Sequence, residues 1–307
     1  MARWNVRHIC GSAVAMMAVL AFATAALAQT PPAEQVSPAA PEKRAPKKPV
    51  PRPQNSASPS TVPQAKPRNE VDAAAAQNPI SNMISIPFQN NTGFSAGPYR
   101  RTQNVLLIEP VIPFHLDAEW TLVTRWITPV INLPRFSPQE GGEFGLGTLQ
   151  PQFYFVPSNT GSVLVGLGPQ FQLPTATDDV LGVNKWGAGP ALAALTIQGP
   201  WVIGVLANNM WAGTEERRVN RLTLNPFVNY NMAGGWYLSS SPVMTADWLL
   251  PASDRWTVPV GGGIGRVFKY GDQPINARVQ LFDNVVRGAG VGSWMLQVQV
   301  QLLFPTR

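Results

Sequence analysis

The chain contains almost no residue that supports thiol, disulfide or histidine chemistry. Its only cysteine is Cys10, and its two histidines are His8 and His115. We expect Cys10 and His8 to be removed with an N-terminal signal, so the mature protein would have no disulfide and no thiolate. The sequence offers no cluster of Ser, His and Asp around His115 and no metal-ligand spacing. We therefore predict that the protein is not an enzyme and has no metal and no cofactor.

Long apolar runs are also missing, except at the N-terminus. Arg3 and Arg7 precede an apolar run from Ala13 to Leu27, and small residues flank Leu27. This order is typical of a secretory signal peptide, and we expect residues 1–28 to be cleaved after Ala28. No later segment has the roughly eighteen consecutive apolar residues of a transmembrane helix. An exported chain without such helices can enter a membrane only as a closed barrel.

Aromatic residues are absent from positions 29–77, which are rich in proline, alanine, lysine and arginine. Such a segment cannot bury a core, so we predict a disordered tether in the periplasm. Basic residues between Pro41 and Pro53 suggest contact with the cell wall, although a solvated linker is the simpler interpretation. Most of the net charge of +6 lies in the signal and the tether. No basic patch with interleaved aromatic residues occurs, so we expect no nucleic-acid partner.

Polar and apolar residues alternate near the C-terminus. The apolar set is Leu296, Val298, Val300, Leu302 and Phe304, and the polar set includes Gln297, Gln299 and Gln301. A period of two predicts a strand with one apolar face, and about ten residues suit a tilted strand that crosses a membrane. The terminal aromatic Phe304 would be the signal read by the barrel assembly machinery. This stretch alone would equally fit a soluble β-sandwich.

Similar stretches recur from Asn78 onward. We predict twelve strands, near Ile80–Phe88, Thr102–Phe114, Glu119–Leu133, Leu146–Pro157, Ser162–Pro174, Lys185–Gln198, Trp201–Ala212, Val219–Met232, Gly235–Leu249, Asp254–Lys269, Pro274–Val286 and Ser293–Phe304. An even number suits a bacterial barrel, in which short inner turns alternate with longer outer loops. The predicted longer loops are Gln89–Arg101, Pro134–Gly145, Thr175–Asn184 and Gly213–Arg218, whereas Pro251–Ser253 is too short for the pattern. The prediction is an all-β fold, a transmembrane antiparallel up-and-down barrel over residues 78–307.

Tryptophan placement supports a membrane span. Indole rings prefer the membrane–water interface, so they form girdles at both ends of such barrels. The expected girdle residues are Trp120, Trp186, Trp201, Trp211, Trp236, Trp248, Trp256 and Trp294.

Proline recurs inside the predicted strands. The eight positions are Pro110, Pro129, Pro151, Pro169, Pro190, Pro226, Pro242 and Pro259. Proline cannot donate to a strand ladder and is confined to edges and bulges, yet a closed barrel has no edge. We expect a bulge or break near the middle of each strand; the alternative is that some strands are two shorter ones.

Side chains on the polar faces would line the barrel interior. The candidate lumen residues include Glu109, Glu119, Arg125, Arg221, Asp247, Arg255, Arg278, Gln297, Gln299 and Gln301. Such a wall is mostly neutral, with a few charges of both signs. It would form either a narrow channel that filters solutes or a plugged interior that only stabilises the barrel. Both alternatives stay open at this point.

Several segments resemble one family of bacterial outer-membrane proteins. They include Asn78–Thr92, Arg101–Leu106, Gln150–Phe155, Leu173–Asp178, Lys185–Pro190, Asn225–Asn231 and Asp254–Gly263. The sequence is similar to barrel proteins labelled as transporters, some under the misleading name "neuromedin U", and to those associated with meta-pathway phenol degradation. The resemblance covers nearly all of Asn78–Phe304. It implies a barrel and uptake of small hydrophobic or aromatic molecules, and it supplies no binding residues.

The expected function is therefore passive diffusion or uptake of small solutes across the bacterial outer membrane. The expected partners are outer-membrane lipid, the assembly machinery and the solutes. The alternative is a plugged structural barrel that anchors the envelope by binding the cell wall through its basic tether.

Overall fold

A computed structural model describes residues 73–139, 141–159, 161–214, 217–288 and 290–304, which belong to one compact unit, Asn69–Arg307. The predicted signal peptide and nearly all of the predicted tether lie outside the described residues. Within these residues the regular structure is almost entirely β, with one short helix, α1 (Ala73–Ala76), and a 3₁₀ turn at Ala233–Gly235. No described helix reaches the length and apolarity that crossing a membrane requires.

The described strands form one antiparallel sheet that closes on itself. Their bounds are β1 Ile84–Ala96, β2 Arg101–Ile108, β3 Val111–His115, β4 Trp120–Pro134, β5 Gly142–Leu146, β6 Gln150–Pro157, β7 Val163–Gln172, β8 Gly187–Gln198, β9 Trp201–Thr214, β10 Arg217–Asn231, β11 Trp236–Ser240, β12 Met244–Asp247, β13 Trp256–Tyr270, β14 Gln273–Val286 and β15 Trp294–Phe304. Pairing of β15 with β1 and of β9 with β10 completes the ring. Three barrel strands are interrupted and consist of two segments each, namely β2 with β3, β5 with β6 and β11 with β12. The fifteen segments therefore form a barrel of twelve strands in the described part of the chain, as predicted.

Five of the eight strand prolines mark local interruptions of the sheet. Pro110 lies in the gap between β2 and β3, and Pro242 lies in the gap between β11 and β12. Pro259 lies at a register shift between β13 and β14. Pro169 and Pro190 face each other in the continuous register of β7 and β8, and the interruption lies on their other sides, where Pro169 is unpaired with β6 and Pro190 is unpaired with β9. Because proline has no N–H to give, it is tolerated where the ladder is already broken.

The remaining three prolines lie beside interruptions. Pro129 lies opposite the gap at residues 147–149, which separates β5 from β6, and Pro151 is the second residue of β6 after that gap. Pro226 lies opposite the gap at residues 241–243. The expected break is therefore present, and in three barrel strands it divides the strand into two shorter segments.

The alternation of side chains confirms the predicted faces of the last strand. Val298 and Val300 are exposed, whereas Gln297 and Gln299 are buried. The outer surface also exposes Leu167, Leu281 and other large apolar side chains. A contiguous apolar outer surface is typical of a membrane barrel, because water-soluble proteins rarely expose large apolar patches.

Two predicted boundaries near the N-terminus are wrong. The first strand begins at Ile84 rather than Ile80 and continues to Ala96, so most of the predicted loop Gln89–Arg101 is strand. A positive φ of 64° at Gly97 closes the connection to β2 in a tight turn. The connection between β12 and β13, residues 248–255, is longer than the predicted loop Pro251–Ser253. The predicted longer loop Gly213–Arg218 is wrong, because β9 continues to Thr214 and β10 begins at Arg217, so short and long connections do not alternate strictly.

Residues 73–83 enter the barrel at the end where the chain terminates. Ile80 is only 2% exposed and packs with Val123, Tyr154 and other inward side chains. Ala76 packs in a second buried cluster that contains Leu303. Residues up to 77 were predicted to belong to the tether, but Ala73–Ala76 forms a short helix and Gln77 contacts the barrel wall. The alternation of polar and apolar residues does not predict the entry of residues 73–83 into the barrel, because this segment contacts strands that are distant in sequence.

Candidate functional site

A cavity of about 270 Å³ lies inside the barrel, between the wall and the N-terminal segment. Its wall combines many amide side chains with a few apolar ones, and its charged lining residues are Glu109, Arg125 and Arg278. The cavity is smaller than typical pockets for drug-sized ligands. The interior is therefore neither completely filled nor a wide pore.

Arg125 and Glu109 form a buried ion pair on the cavity wall. Arg125 Nη2 lies 2.7 Å from Glu109 Oε2, and the Glu109 side chain is 6% exposed. Glu109 occupies the gap between β2 and β3, next to Pro110, which turns its carboxylate toward β4. Each charge thus has a partner, and the pair adds no net charge to the lumen.

A row of amides continues from this pair around the wall. Gln152 Oε1 accepts from Arg125 (3.5 Å) and from the Tyr154 hydroxyl (2.9 Å). Gln152 Nε2 donates to Gln170 Oε1 (3.2 Å), and Gln170 Nε2 donates to Asn208 Oδ1 (3.2 Å). Buried amides need such partners, because an unpaired buried polar group is costly. This side of the lumen is therefore fixed by hydrogen bonds.

Arg278 on β14 differs from Arg125 because it forms no salt bridge with any residue that the structure describes. Its Nη2 donates to Gln299 Oε1 (2.6 Å) and, at 3.5 Å, to Gln297 Oε1. Its Nε is shielded from solvent and has no partner. Amide oxygens are neutral acceptors, so Arg278 has no directly contacting counter-ion among the described residues. The described charged residues of the cavity lining carry a net excess of one positive charge.

The N-terminal segment supplies one wall of the cavity. Gln77 Nε2 donates to Asn231 Oδ1 (2.7 Å) and thereby attaches the segment to β10. Gln77 Oε1 and Asn229 Oδ1 are buried and accept no hydrogen bond from the described part of the chain. Both atoms are acceptors, so this wall of the cavity holds two acceptors that no described donor reaches.

Two aromatic side chains narrow the lumen, each above a glycine on the neighbouring strand. Phe227 faces Gly204 in the register of β10 and β9, and Tyr237 faces Gly265 in that of β11 and β13. A Cβ atom at either glycine would collide with the ring. Gly265 belongs to the glycine-rich part of β13, where small residues leave space inside the barrel.

The predicted lumen residues separate into two groups in the structure. The cavity lining includes Glu109, Arg125, Arg278, Gln297, Gln299 and Gln301. Arg221 and Asp247 lie outside that lining and form a salt bridge of 3.2 Å. Glu119 lies in the turn before β4. Arg255 lies at the opposite end, with its guanidinium 5.5 Å from the Trp248 ring centroid.

The predicted girdle tryptophans lie near the strand ends in two sets. Trp120, Trp201 and Trp236 begin β4, β9 and β11 at the end that holds the chain terminus. Trp186, Trp211, Trp248, Trp256 and Trp294 lie near the opposite end. Most are substantially exposed, with Trp186 at 69%. Phe304 ends β15 and is also exposed.

His115 is exposed at the end of β3, away from the cavity lining. In the described part of the chain, no group of three or more His, Cys, Asp or Glu side chains is placed to hold a metal ion.

Sequence reasoning missed several residues that form the cavity. Gln77 was assigned to the tether, and Phe227 and Tyr237 were not among the candidates. Phe227 and Tyr237 occupy inward-facing positions of β10 and β11, and this alternation could have identified them. The candidates included only polar side chains, so these two aromatic residues were missed. Gln77 had no such signal, because its position depends on the path of residues 73–83 into the barrel.

A solved structure of an outer-membrane channel has a fold similar to that of this chain. An outer membrane channel from Pseudomonas putida F1 aligns with a TM-score of 0.56 and 15% sequence identity, over 72% of this chain and 95% of that chain. At this identity the likeness shows the fold alone. No protein-family model matches the sequence, and a search of curated proteins found no match.

Outer-membrane barrels with other functions align less well with this chain. The CymD monoaromatic hydrocarbon channel aligns with a TM-score of 0.43 and 7% identity, over 78% of this chain and 94% of that chain. The outer membrane phospholipase A from Escherichia coli aligns with a TM-score of 0.38 and 11% identity, over 72% and 96%. These scores are too low to support an argument about this chain.

Proposed function

We propose that the protein is an outer-membrane barrel through which small solutes, including hydrophobic or aromatic ones, diffuse passively. The observation that carries this proposal is the cavity inside a closed barrel of outer-membrane channel fold. Its amide side chains provide a wet path, and its apolar residues provide surface for a partly hydrophobic solute. The predicted signal peptide, outer-membrane location and periplasmic tether belong to the same proposal.

The dimensions of the barrel favour small solutes. A twelve-stranded barrel is wider than the filled eight-stranded type and narrower than the open porins of sixteen or more strands. The N-terminal segment and the rings of Phe227 and Tyr237 line a cavity of about 270 Å³ inside it. Solutes of a few carbon atoms fit this cavity, whereas oligosaccharides and peptides are too large for it.

Liposome swelling with the full-length protein tests whether the lumen conducts. We expect swelling with a small neutral sugar. Thr223→Trp places a bulky ring in the cavity wall and should slow swelling several-fold, whereas Leu222→Trp, on the opposite face of the same strand, should not. No swelling above that of empty liposomes, with the barrel folded, would contradict the proposal.

The filled inner end of the barrel favours a second candidate, a plugged structural barrel. Ile80 and Ala76 are buried among inward side chains there. In this alternative the basic tether, residues 29–77, would bind the cell wall and anchor the envelope. Pull-down with purified cell wall, comparing the full chain with a chain lacking residues 29–72, tests it directly. Loss of binding on deletion, together with absent swelling, would favour this candidate over a channel.

A further inference from the structure

We infer that the lumen cavity binds a small monocarboxylate with a compact apolar body, and that Arg278 holds the carboxylate. This solute class rests on the proposed function, passive diffusion of small solutes through the barrel. It follows from the charge of the cavity, its unpartnered donor and the chemistry of the opposite wall.

The charge of the cavity selects an anion. Arg125 forms a salt bridge with Glu109 at 2.7 Å, so among the three described charged lining residues only Arg278 has no salt-bridge partner. An uncompensated guanidinium that is partly removed from water is costly, and an anionic ligand would relieve that cost. A single free positive charge matches a single negative charge. A phosphate or dicarboxylate would bring excess negative charge near Glu109.

The geometry of Arg278 suits a carboxylate. The guanidinium offers five N–H donors in a planar fork, and carboxylates accept two of them in parallel. Its Nη2 donates to Gln299 and Gln297 and its Nε is shielded from solvent, whereas its Nη1 makes no hydrogen bond with a described residue and is not shielded. The glutamines hold the fork in place, and Nη1 remains available to a ligand in the cavity.

The rest of the wall suits an apolar body. Phe227, Leu206, Ile127 and Leu107 line the cavity together with the polar groups. A volume of about 270 Å³ admits one aromatic ring or a short alkyl chain beside the carboxylate. A sugar would leave its hydroxyl groups facing these apolar residues. The site therefore binds an aromatic or short aliphatic carboxylate more tightly than a sugar or a larger anion, while small neutral sugars still pass without being held.

Calorimetric titration of the purified full-length protein in detergent tests the site with benzoate and its neutral isostere benzamide. A charge-assisted bond to Arg278 should make benzoate bind about tenfold more tightly than benzamide. Arg278→Gln should remove that preference, and Arg278→Lys should retain part of it. Arg221→Gln, outside the cavity lining, serves as the control and should leave the preference unchanged.

The outcomes separate this inference from the proposed function. Equal binding of benzoate and benzamide by the wild type, or no binding of either, would overturn the inference, whatever the behaviour of the variants. If that result accompanies swelling with a neutral sugar, the channel function stands and only the solute class is wrong. Preferential benzoate binding that depends on Arg278, without any swelling, would support the site and overturn passage. Heat-modifiable gel mobility confirms that each variant is folded.

Discussion

Arg221 on β10 and Asp247 on β12 face each other in the strand register, and their side chains form a salt bridge of 3.2 Å. The sequence predicts both Arg221 and Arg278 as lumen residues, and Arg221 has no acidic neighbour within its own strand. The structure shows that the two arginines differ. Arg221 is paired across strands, whereas the described hydrogen-bond partners of Arg278 are neutral amides.

Ion selectivity should therefore depend on Arg278. If the lumen conducts, Arg278→Gln removes the one unbalanced charge of the cavity lining, and the reversal potential under a salt gradient should shift toward cation preference. The double change Arg221→Gln with Asp247→Asn removes a neutral pair and should leave the reversal potential close to that of the wild type. A shift with the double variant and none with Arg278→Gln would contradict this assignment.

The two faces of β15 should respond oppositely to a new charge. Val298→Arg places a guanidinium near the middle of the apolar belt and should cost about 2–4 kcal/mol. Gln299→Glu, at the adjacent inward position, places a carboxylate beside Arg278 and should leave the barrel at least as stable. Urea unfolding in detergent, followed by heat-modifiable gel mobility, measures both. Equal losses would contradict the face assignment.

Gln299→Arg does not serve as a control for Val298→Arg. Position 299 faces the lumen, so the strand alternation alone would predict that a charge is tolerated there. Gln299→Arg would remove the 2.6 Å hydrogen bond from Arg278 and place a second guanidinium next to the first. We expect it to be destabilising, in contrast to Gln299→Glu.

The ion pair of Glu109 and Arg125 should be costly to break on one side only. Glu109→Gln leaves a partly buried guanidinium without its counter-charge, at a cost of about 3 kcal/mol. The double variant Glu109→Gln with Arg125→Met should recover part of this loss, because no unpaired charge remains. A double-mutant cycle of unfolding free energies checks the coupling. Additive losses would show that the pair does not act as a unit.

The close approach of Tyr237 to Gly265 should make that glycine intolerant of substitution. Gly265→Val would overpack the space occupied by the Tyr237 ring and should cost about 1–3 kcal/mol. Tyr237→Leu in the same chain should restore part of the stability, although it also removes the hydrogen bond from the Tyr237 hydroxyl to Asn276 (2.6 Å). If Tyr237→Leu leaves the loss undiminished, the ring does not cause the intolerance.

The longer loops should face outside the cell. Loops at residues 135–141 and 173–186 lie at one end of the barrel, and the turn at residues 271–272 lies at the other. Since longer loops are extracellular in such barrels, Gln139→Cys and Val180→Cys should react with an impermeant maleimide on intact cells, whereas Asp272→Cys should not. Labelling at Asp272 alone would invert the proposed orientation.

Several features were determined by the sequence itself, because they depend on neighbours along one strand. The period of two assigned Val298 outward and Gln299 inward, and even recurrence of such stretches predicted twelve strands. Prolines such as Pro110 and Pro242 indicated interruptions, since proline lacks a backbone donor wherever it occurs. Tryptophans such as Trp120 and Trp211 were expected near the strand ends, where the structure places them.

Other features were decided only by the tertiary structure, because they depend on contacts between distant residues. Pairing of β10 with β12 brings Asp247 beside Arg221, whereas no described carboxylate forms a salt bridge with Arg278, although composition does not distinguish the two arginines. The entry of residues 73–83 into the lumen likewise depends on space left by inward side chains, where Ile80 packs against several strands at once. Burial of apolar surface drives that contact, and it has no local periodicity that a sequence pattern could reveal.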